Sequence, residues 1–209
     1  MASIPQLWQR SLLPPVLDRV MSRAIFAPLR AEATALAQGR VLEIGIGSGL
    51  NLGHYPRSLH SVVGVDPSLP LLQRAHRRAA WMAFPVHLCQ GWAERLPIAD
   101  QSVDVVVSTW TLCSVADPAK VLEEVRRVLV PDGLFCFCEH GLSPDPATAT
   151  WQRRLTPCWK CLAGGCRLDS AHDRLIEAAG FRIARLRAER LIPDPAVLAW
   201  HQLGVATIR

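Results

Sequence analysis

The residues of this chain best suited to chemistry fall into a few short clusters. Glu43 precedes three glycines at alternate positions, Gly45, Gly47 and Gly49, in the run VLEIGIGSGLNLG. Glycines this dense, between an apolar run and a helix-compatible segment, describe a tight turn whose backbone a ligand can approach closely. Free N–H groups and the positive end of a helix dipole then face that ligand. Asp66 lies 21 residues after Gly45 and closes the β-branched run SVVGVD. A carboxylate there can accept two hydrogen bonds from ribose hydroxyls; its other use is as a helix cap or turn residue. Glu139 and His140 close a later apolar run. An imidazole suits a proton shuttle near neutral pH, so His140 is the candidate base. The alternative is a structural histidine bonded to a loop carbonyl, with Glu139 either orienting it or standing on the surface. His54 and Tyr55 follow the glycine turn and either reach the ligand or serve the core.

Cysteine and tryptophan add further candidates. Cys158 and Cys161 form C-x-x-C, with Cys166 and His172 beyond. Three readings fit: a zinc site, a redox pair, or free thiols. The last is preferred and no metal is assigned. Cys113, in LCSV, reads as a small buried hydrophobe rather than a nucleophile. Seven tryptophans stand against one tyrosine. Trp92, Trp110, Trp151 and Trp159 either line an apolar or cation–π pocket or belong to the core.

The elements that must position these residues follow from periodicity. Residues 40–44, 61–65, 85–89, 103–108 and 134–138 read as strands, and helical segments separate them. Residues 68–82 form a helix capped by Ser68, and Asp117-Pro118 opens another that runs to residue 129. Residues 51–55 begin a helix that Pro56 curtails. Five alternations argue a parallel, doubly wound sheet. In open sheets of this kind ligands bind beyond the carboxyl ends of the strands, where Thr109 and Trp110 fall. Residues 15–37 keep a helical period and read as an arm. That arm is either packed on the domain edge, a lid over the substrate site, or a surface that touches membrane or an apolar substrate. Residues 143–166 break the rhythm. A helix capped by Asp169 or Ser170 follows and Gly180 ends it, before final strands at 181–186 and 197–208.

Composition bounds the function. The chain has 209 residues, enough for one α/β domain, and half are apolar, which marks a globular chain. The net charge of +5 is spread over short arginine clusters without a long basic block, so nucleic acid is not an expected partner. No run of 18 apolar residues occurs and the first 30 residues do not read as a signal peptide. Seven scattered cysteines fit free thiols in a reducing compartment, hence a cytoplasmic location.

The dinucleotide fingerprint G-x-G-x-x-G would need a glycine at position 50, where Leu50 stands. The observed E-x-G-x-G-x-G resembles instead the first motif of class I S-adenosylmethionine-dependent methyltransferases. The ordered set LEIGIGSG, VGVDPS, GWAERLPI, DVVVSTWTLCSV and EEVRRVLVPDGLFCFCEHG, over residues 40–141, is similar to the UbiE/COQ5-like group. The pieces LCSV, EHG and GGC resemble more narrowly the methyltransferase-like 7 subgroup and its bacterial relatives. That resemblance implies a Rossmann-like, doubly wound seven-stranded sheet, mostly parallel with one antiparallel edge hairpin. Residues 1–38 are then an arm or lid and 39–209 the catalytic domain, with a substrate-side insert at 143–168. It implies S-adenosyl-L-methionine as cofactor, bound by Glu43, Gly45, Gly47, Gly49, Asn51, Asp66, Pro67, Gly91, Trp92, Ala93, Thr109 and Trp110. Trp92 replaces the aspartate usual in that family, so an indole meets the adenine in its place. The implied acceptor is a small molecule: a thiol first, then a quinone or phenol. The alternatives are a phospholipid amine, a non-catalytic cofactor-binding module, and an NAD(P) oxidoreductase. The animal members' apolar membrane anchor has no counterpart in these residues, though peripheral membrane contact fits the amphipathic arm.

Overall fold

Alternation along one short strand sets the two faces of the sheet. In β1 (Arg40–Ile44), Leu42 and Ile44 point one way, Val41 and Glu43 the other. In this computed structural model, which describes residues 8–193 and 195–209, five strands run parallel: β1, β2 (Ser61–Asp66), β3 (Val86–Gln90), β4 (Val103–Thr109) and β5 (Leu129–His140). β7 (Trp200–Ile208) lies antiparallel between β5 and β6 (Phe181–Arg190), giving the order β3-β2-β1-β4-β5-β7-β6. This is the expected doubly wound sheet with its antiparallel edge.

Leu42 and Ile44 pack with Val106, Phe135, Phe137 and Phe181 under α4 (Pro118–Val128) and α6 (His172–Ala178). The rings of Phe137 and Phe181 each lie 5.6 Å from that of Phe135. On the other face Val41, Val105, Val107 and Cys136 meet Leu72 of α3 (Leu69–Ala79). α2 (Ala27–Thr34) continues that face, with Leu29 and Ala33 against Cys138 and Leu203. Each fully buried side chain of this size contributes about 1.5–3 kcal/mol. Both faces being covered leaves the carboxyl ends of β1, β2, β4 and β5 as the open edge.

Several local expectations are corrected. The arm is not one helix: α1 (Leu13–Met21) stops, a 3-10 turn spans Ala24–Phe26, and α2 begins afresh. Pro28 is the reason, since proline suits a first turn but lacks the N–H that a continuous helix needs. After the glycines only a 3-10 turn forms, Leu52–His54, and Tyr55 ahead of Pro56 is extended at φ −67°, ψ 146°. The irregular stretch contains α5 (Pro146–Leu162), capped by Asp145, which accepts the Thr148 N–H at 2.8 Å. The cap-proline pair Asp145-Pro146 was the available signal. α6 starts at His172, with Ala171 rather than Asp169 or Ser170 at its N-cap. Residues expected to begin the last strand instead form α7 (Ala196–Ala199), which follows Pro195. Ser68 occupies the N-cap of α3 without a side-chain bond, whereas Asp117 caps α4 as expected, accepting the Lys120 N–H at 3.1 Å.

Candidate active site

The glycine turn and Asp66 meet directly. The Gly47 N–H donates to Asp66 Oδ2 at 2.9 Å, and the Ser68 N–H donates to Oδ1 at 2.8 Å. Burial pushes the Asp66 pKa up, against the opposing effect of these two N–H groups. Each carboxylate oxygen keeps lone-pair capacity for a ligand hydroxyl. The turn's glycines differ in surroundings. At Gly47, φ +55°, an added Cβ would find no atom nearer than 3.9 Å, so this side of the backbone is open. At Gly45, φ +64°, the same atom would collide with the Thr111 side chain, which seals the turn from below.

Behind the turn lies a buried polar network. Glu43 is 2% exposed; its Oε1 accepts from Asn51 Nδ2 at 2.9 Å and its Oε2 from Tyr55 Oη at 2.8 Å. Burial pushes its pKa up to about 7 despite Tyr55, Arg30 and Asn51. Asn51 Nδ2 also donates to Thr109 Oγ1 at 2.9 Å. Tyr55 thus serves Glu43. Arg30, not singled out in the sequence, completes the network: its Nη1 donates to Asn51 Oδ1 at 2.8 Å. Its guanidinium sits 4.7 Å from the Trp110 ring centre, a cation–π contact. Burial lowers the Arg30 pKa to about 10, with Glu43 opposing. The only signal was an arginine beside Leu29 on the buried face of the arm. Trp110 takes φ +52°, a left-handed backbone costing on the order of 1 kcal/mol for such a residue. Its backbone N–H donates to Cys138 O at 2.8 Å, and Phe26 and His201 edge its ring at 5.3 and 6.0 Å.

The arm is clamped to the same turn. Asp18 pairs with Arg74 at 2.9 Å and Arg78 at 3.0 Å, and Arg78 Nη1 donates to Ser48 O at 2.6 Å. On the far side, the Gly91 N–H donates to Asp66 O at 3.2 Å and Gln90 Nε2 to Pro67 O at 3.0 Å. Pro67 is exposed and Ala93 buried, whereas the Trp92 indole is 68% exposed. The structure therefore brings Gly47, Asp66, Pro67 and Gly91 together at the strand ends and Glu43, Asn51 and Thr109 behind the turn.

At the β4 and β5 ends, Glu139 is fully buried. It accepts from Ser108 Oγ at 2.7 Å, the Thr111 N–H at 3.1 Å and the Cys113 N–H at 3.3 Å. Burial raises its pKa to about 7 against these donors. It shapes the loop after β4 and has no bond to His140. His140 is 4% exposed, with Nε2 donating to Val197 O at 3.0 Å and its ring edge-on to His201 at 5.6 Å. Trp151 is exposed on α5 beneath the Arg154 guanidinium, 5.7 Å from its centre. Cys158 and Cys161 are exposed and unbridged. Among the described residues, no group of three His, Cys, Asp or Glu side chains is arranged to hold a metal ion. None of their helices is long and apolar enough to cross a membrane.

Comparison with known proteins bears on the family and the fold. The family described as a methyltransferase domain matches residues 42–137. The rat thiol S-methyltransferase TMT1B is 36% identical over 87% of this chain and 74% of its own length. Human TMT1A is 33% identical over 86% of this chain and 72% of its own. A solved S-adenosylmethionine-dependent methyltransferase from Thermotoga maritima superposes with a TM-score of 0.69, at 21% identity, over 97% of this chain and 99% of its own, and so shares the fold. The chain belongs to the class I S-adenosylmethionine-dependent methyltransferases, in the same family as the TMT1 thiol S-methyltransferases.

Proposed function

We propose that this methyltransferase acts on the sulfur of a small, apolar thiol. The observation that carries the reading is the reach of the similarity to the TMT1 enzymes. At 87% of the chain, it extends well beyond residues 42–137, which the methyltransferase-domain family matches. When bound, S-adenosylmethionine supplies an electrophilic methyl carbon on a sulfonium. The residues present suit it. The open side of Gly47 offers a cradle, and Asp66, beside it, has capacity for two ribose hydroxyls. Ala93 offers its N–H to the adenine, and the exposed Trp92 indole supplies a face for the base. Glu43, Asn51 and Arg30 brace the turn from behind.

Positioning and exclusion of water are the chief demands of such a transfer, because the charge on the sulfonium is lost as the bond forms. A neutral thiol must also lose its proton. His140 takes that proton in this reading, through Nδ1, because Nε2 is held as an N–H by the Val197 carbonyl. The ring is buried, so this role requires the acceptor sulfur to reach it. The exposed stripe Leu12, Val16 and Val20 supports contact of the arm with an apolar acceptor or a membrane surface.

The test is release of S-adenosylhomocysteine across a panel of alkyl thiols, phenols, quinone precursors and phosphatidylethanolamine vesicles. Turnover with apolar thiols above the other classes is expected. Turnover confined to phenols or to the phospholipid would overturn the thiol reading and leave the methyltransferase assignment intact.

A further inference from the structure

Two cysteines that the methyl-transfer reading does not use meet at the carboxyl edge of the sheet. Cys113 lies in the loop after β4, 1% exposed; Cys166 lies in the turn after α5 and is partly exposed. The backbone holds them together. The Arg167 N–H donates to Cys113 O at 2.7 Å, and Gly165 packs so closely on the next residue that an added Cβ would lie 2.6 Å from Ser114 O. The Cys166 thiol is thereby a neighbour of Cys113, with the His140 and Trp159 side chains close enough to act on it.

Two of their atoms are informative because each lacks a partner. His140 Nδ1 and Trp159 Nε1 are both buried with no hydrogen-bond partner. With His140 Nε2 fixed as a donor to Val197 O, its Nδ1 carries the lone pair. One basic nitrogen and one N–H therefore flank a single sulfur. A proton moved from that sulfur to Nδ1 leaves a thiolate facing N–H donors, the arrangement that activates a cysteine nucleophile. The electrostatics agree in direction: the contacts from Cys113, His140 and Trp159 hold Cys166 low against burial, whereas Cys113 is pushed up by Cys166 and by burial.

We propose that Cys166 and Cys113 form a dithiol site that reacts with small organic disulfides, Cys166 attacking and Cys113 resolving. The Cys166 thiolate attacks one sulfur of R–S–S–R, a Cys166–S–S–R bond forms, and RS⁻ leaves and takes the proton held on His140. The Cys113 sulfur then attacks Cys166, a Cys113–Cys166 disulfide forms, and the second RS⁻ leaves with the Cys113 proton. Two electrons pass from the protein to the small disulfide, which departs as two thiols. An external thiol in excess reverses both steps. A reactive cysteine alone would stop at the mixed disulfide, and the buried neighbour is what carries the reaction on. The proposal does not depend on which acceptor is methylated, but it draws on the same His140 Nδ1, so the two reactions exclude each other at any one moment.

The test uses the full chain with the exposed Cys158 and Cys161 and the half-buried Cys89 replaced by serine, reduced, freed of reductant, and mixed with 5,5′-dithiobis(2-nitrobenzoate) at neutral pH. Two chromophore equivalents per chain are expected in the fast phase. Peptide mapping should then find a Cys113–Cys166 disulfide and no retained nitrobenzoate. Cys113→Ser should release one equivalent and keep the aryl group on Cys166, Cys166→Ser should lose the fast phase, and His140→Gln should slow it by about tenfold or more. A fast phase that survives Cys166→Ser, or a stable mixed disulfide with Cys113 intact, overturns the proposal. So does an unchanged rate in His140→Gln. The mapping of the otherwise unaltered core requires no buried substitution, so a variant that fails to fold does not shield the idea.

Discussion

Replacing Glu43 by glutamine tests the buried network in a way that isolates one charge. Glu43 has a pKa of about 7 in the fold against an ordinary 4.5, chiefly because burial disfavours the carboxylate. A group raised in this way binds more protons folded than unfolded. Its stabilising contribution is full below the ordinary value and is lost as pH rises through 7. The full gap corresponds to ~3 kcal/mol, and about 2–3 kcal/mol of it falls between pH 5 and pH 8. Glutamine mimics the protonated acid and does not titrate. Urea unfolding of wild type and Glu43→Gln at pH 5 and pH 8 should therefore show the variant gaining about 2–3 kcal/mol relative to wild type across that interval. With slopes of about 1–3 kcal/mol per molar, this is a relative midpoint shift of about 1 M or more. His172 and His201, which burial lowers to about 4, titrate identically in both proteins and cancel in the difference. An identical stability difference at both pH values would refute the reasoning. It would mean that Asn51, Tyr55 and Arg30 compensate the carboxylate fully.

Asp66→Asn removes the charge that holds the Gly47 N–H; S-adenosylmethionine affinity by calorimetry should fall about 10–100-fold, by the loss of charged hydrogen bonds. His140→Ala should lower turnover about 100-fold or more while calorimetric cofactor affinity survives. Gly45→Ala should depress the melting temperature more than Gly47→Ala, because only the former drives a methyl group into Thr111. Arg30→Met leaves Glu43 and Asn51 without their cation and should cost about 2–4 kcal/mol in urea unfolding at pH 8, where Glu43 is ionised.

The strands were legible because β-branched runs and glycine turns act locally. The Asp66–Gly47 meeting follows from them, since parallel pairing of β1 with β2 places Ile44 opposite Val65, just ahead of both sites. The breaks in the arm were less legible: its apolar period continues through Pro28, and a period does not report a missing N–H. Arg30 was missed for a related reason, since burial of a charge depends on Asn51 and Trp110, which lie far along the sequence. Cys113 does read correctly as buried, yet its contact with Cys166 depends on a loop docking that no motif records.

The placement of β7 between β5 and β6 bears on the order in which the molecule is assembled. During synthesis the five parallel strands emerge first, and with them the glycine turn and Asp66. β5 then presents a raw edge, open to wrong partners, until Trp200–Ile208 zips along it. The same zipping brings His201 opposite His140 and gives β6 the strand it pairs with. The half that carries the glycine turn and Asp66 is thus written into the nascent chain before the half that carries β6 and β7 exists.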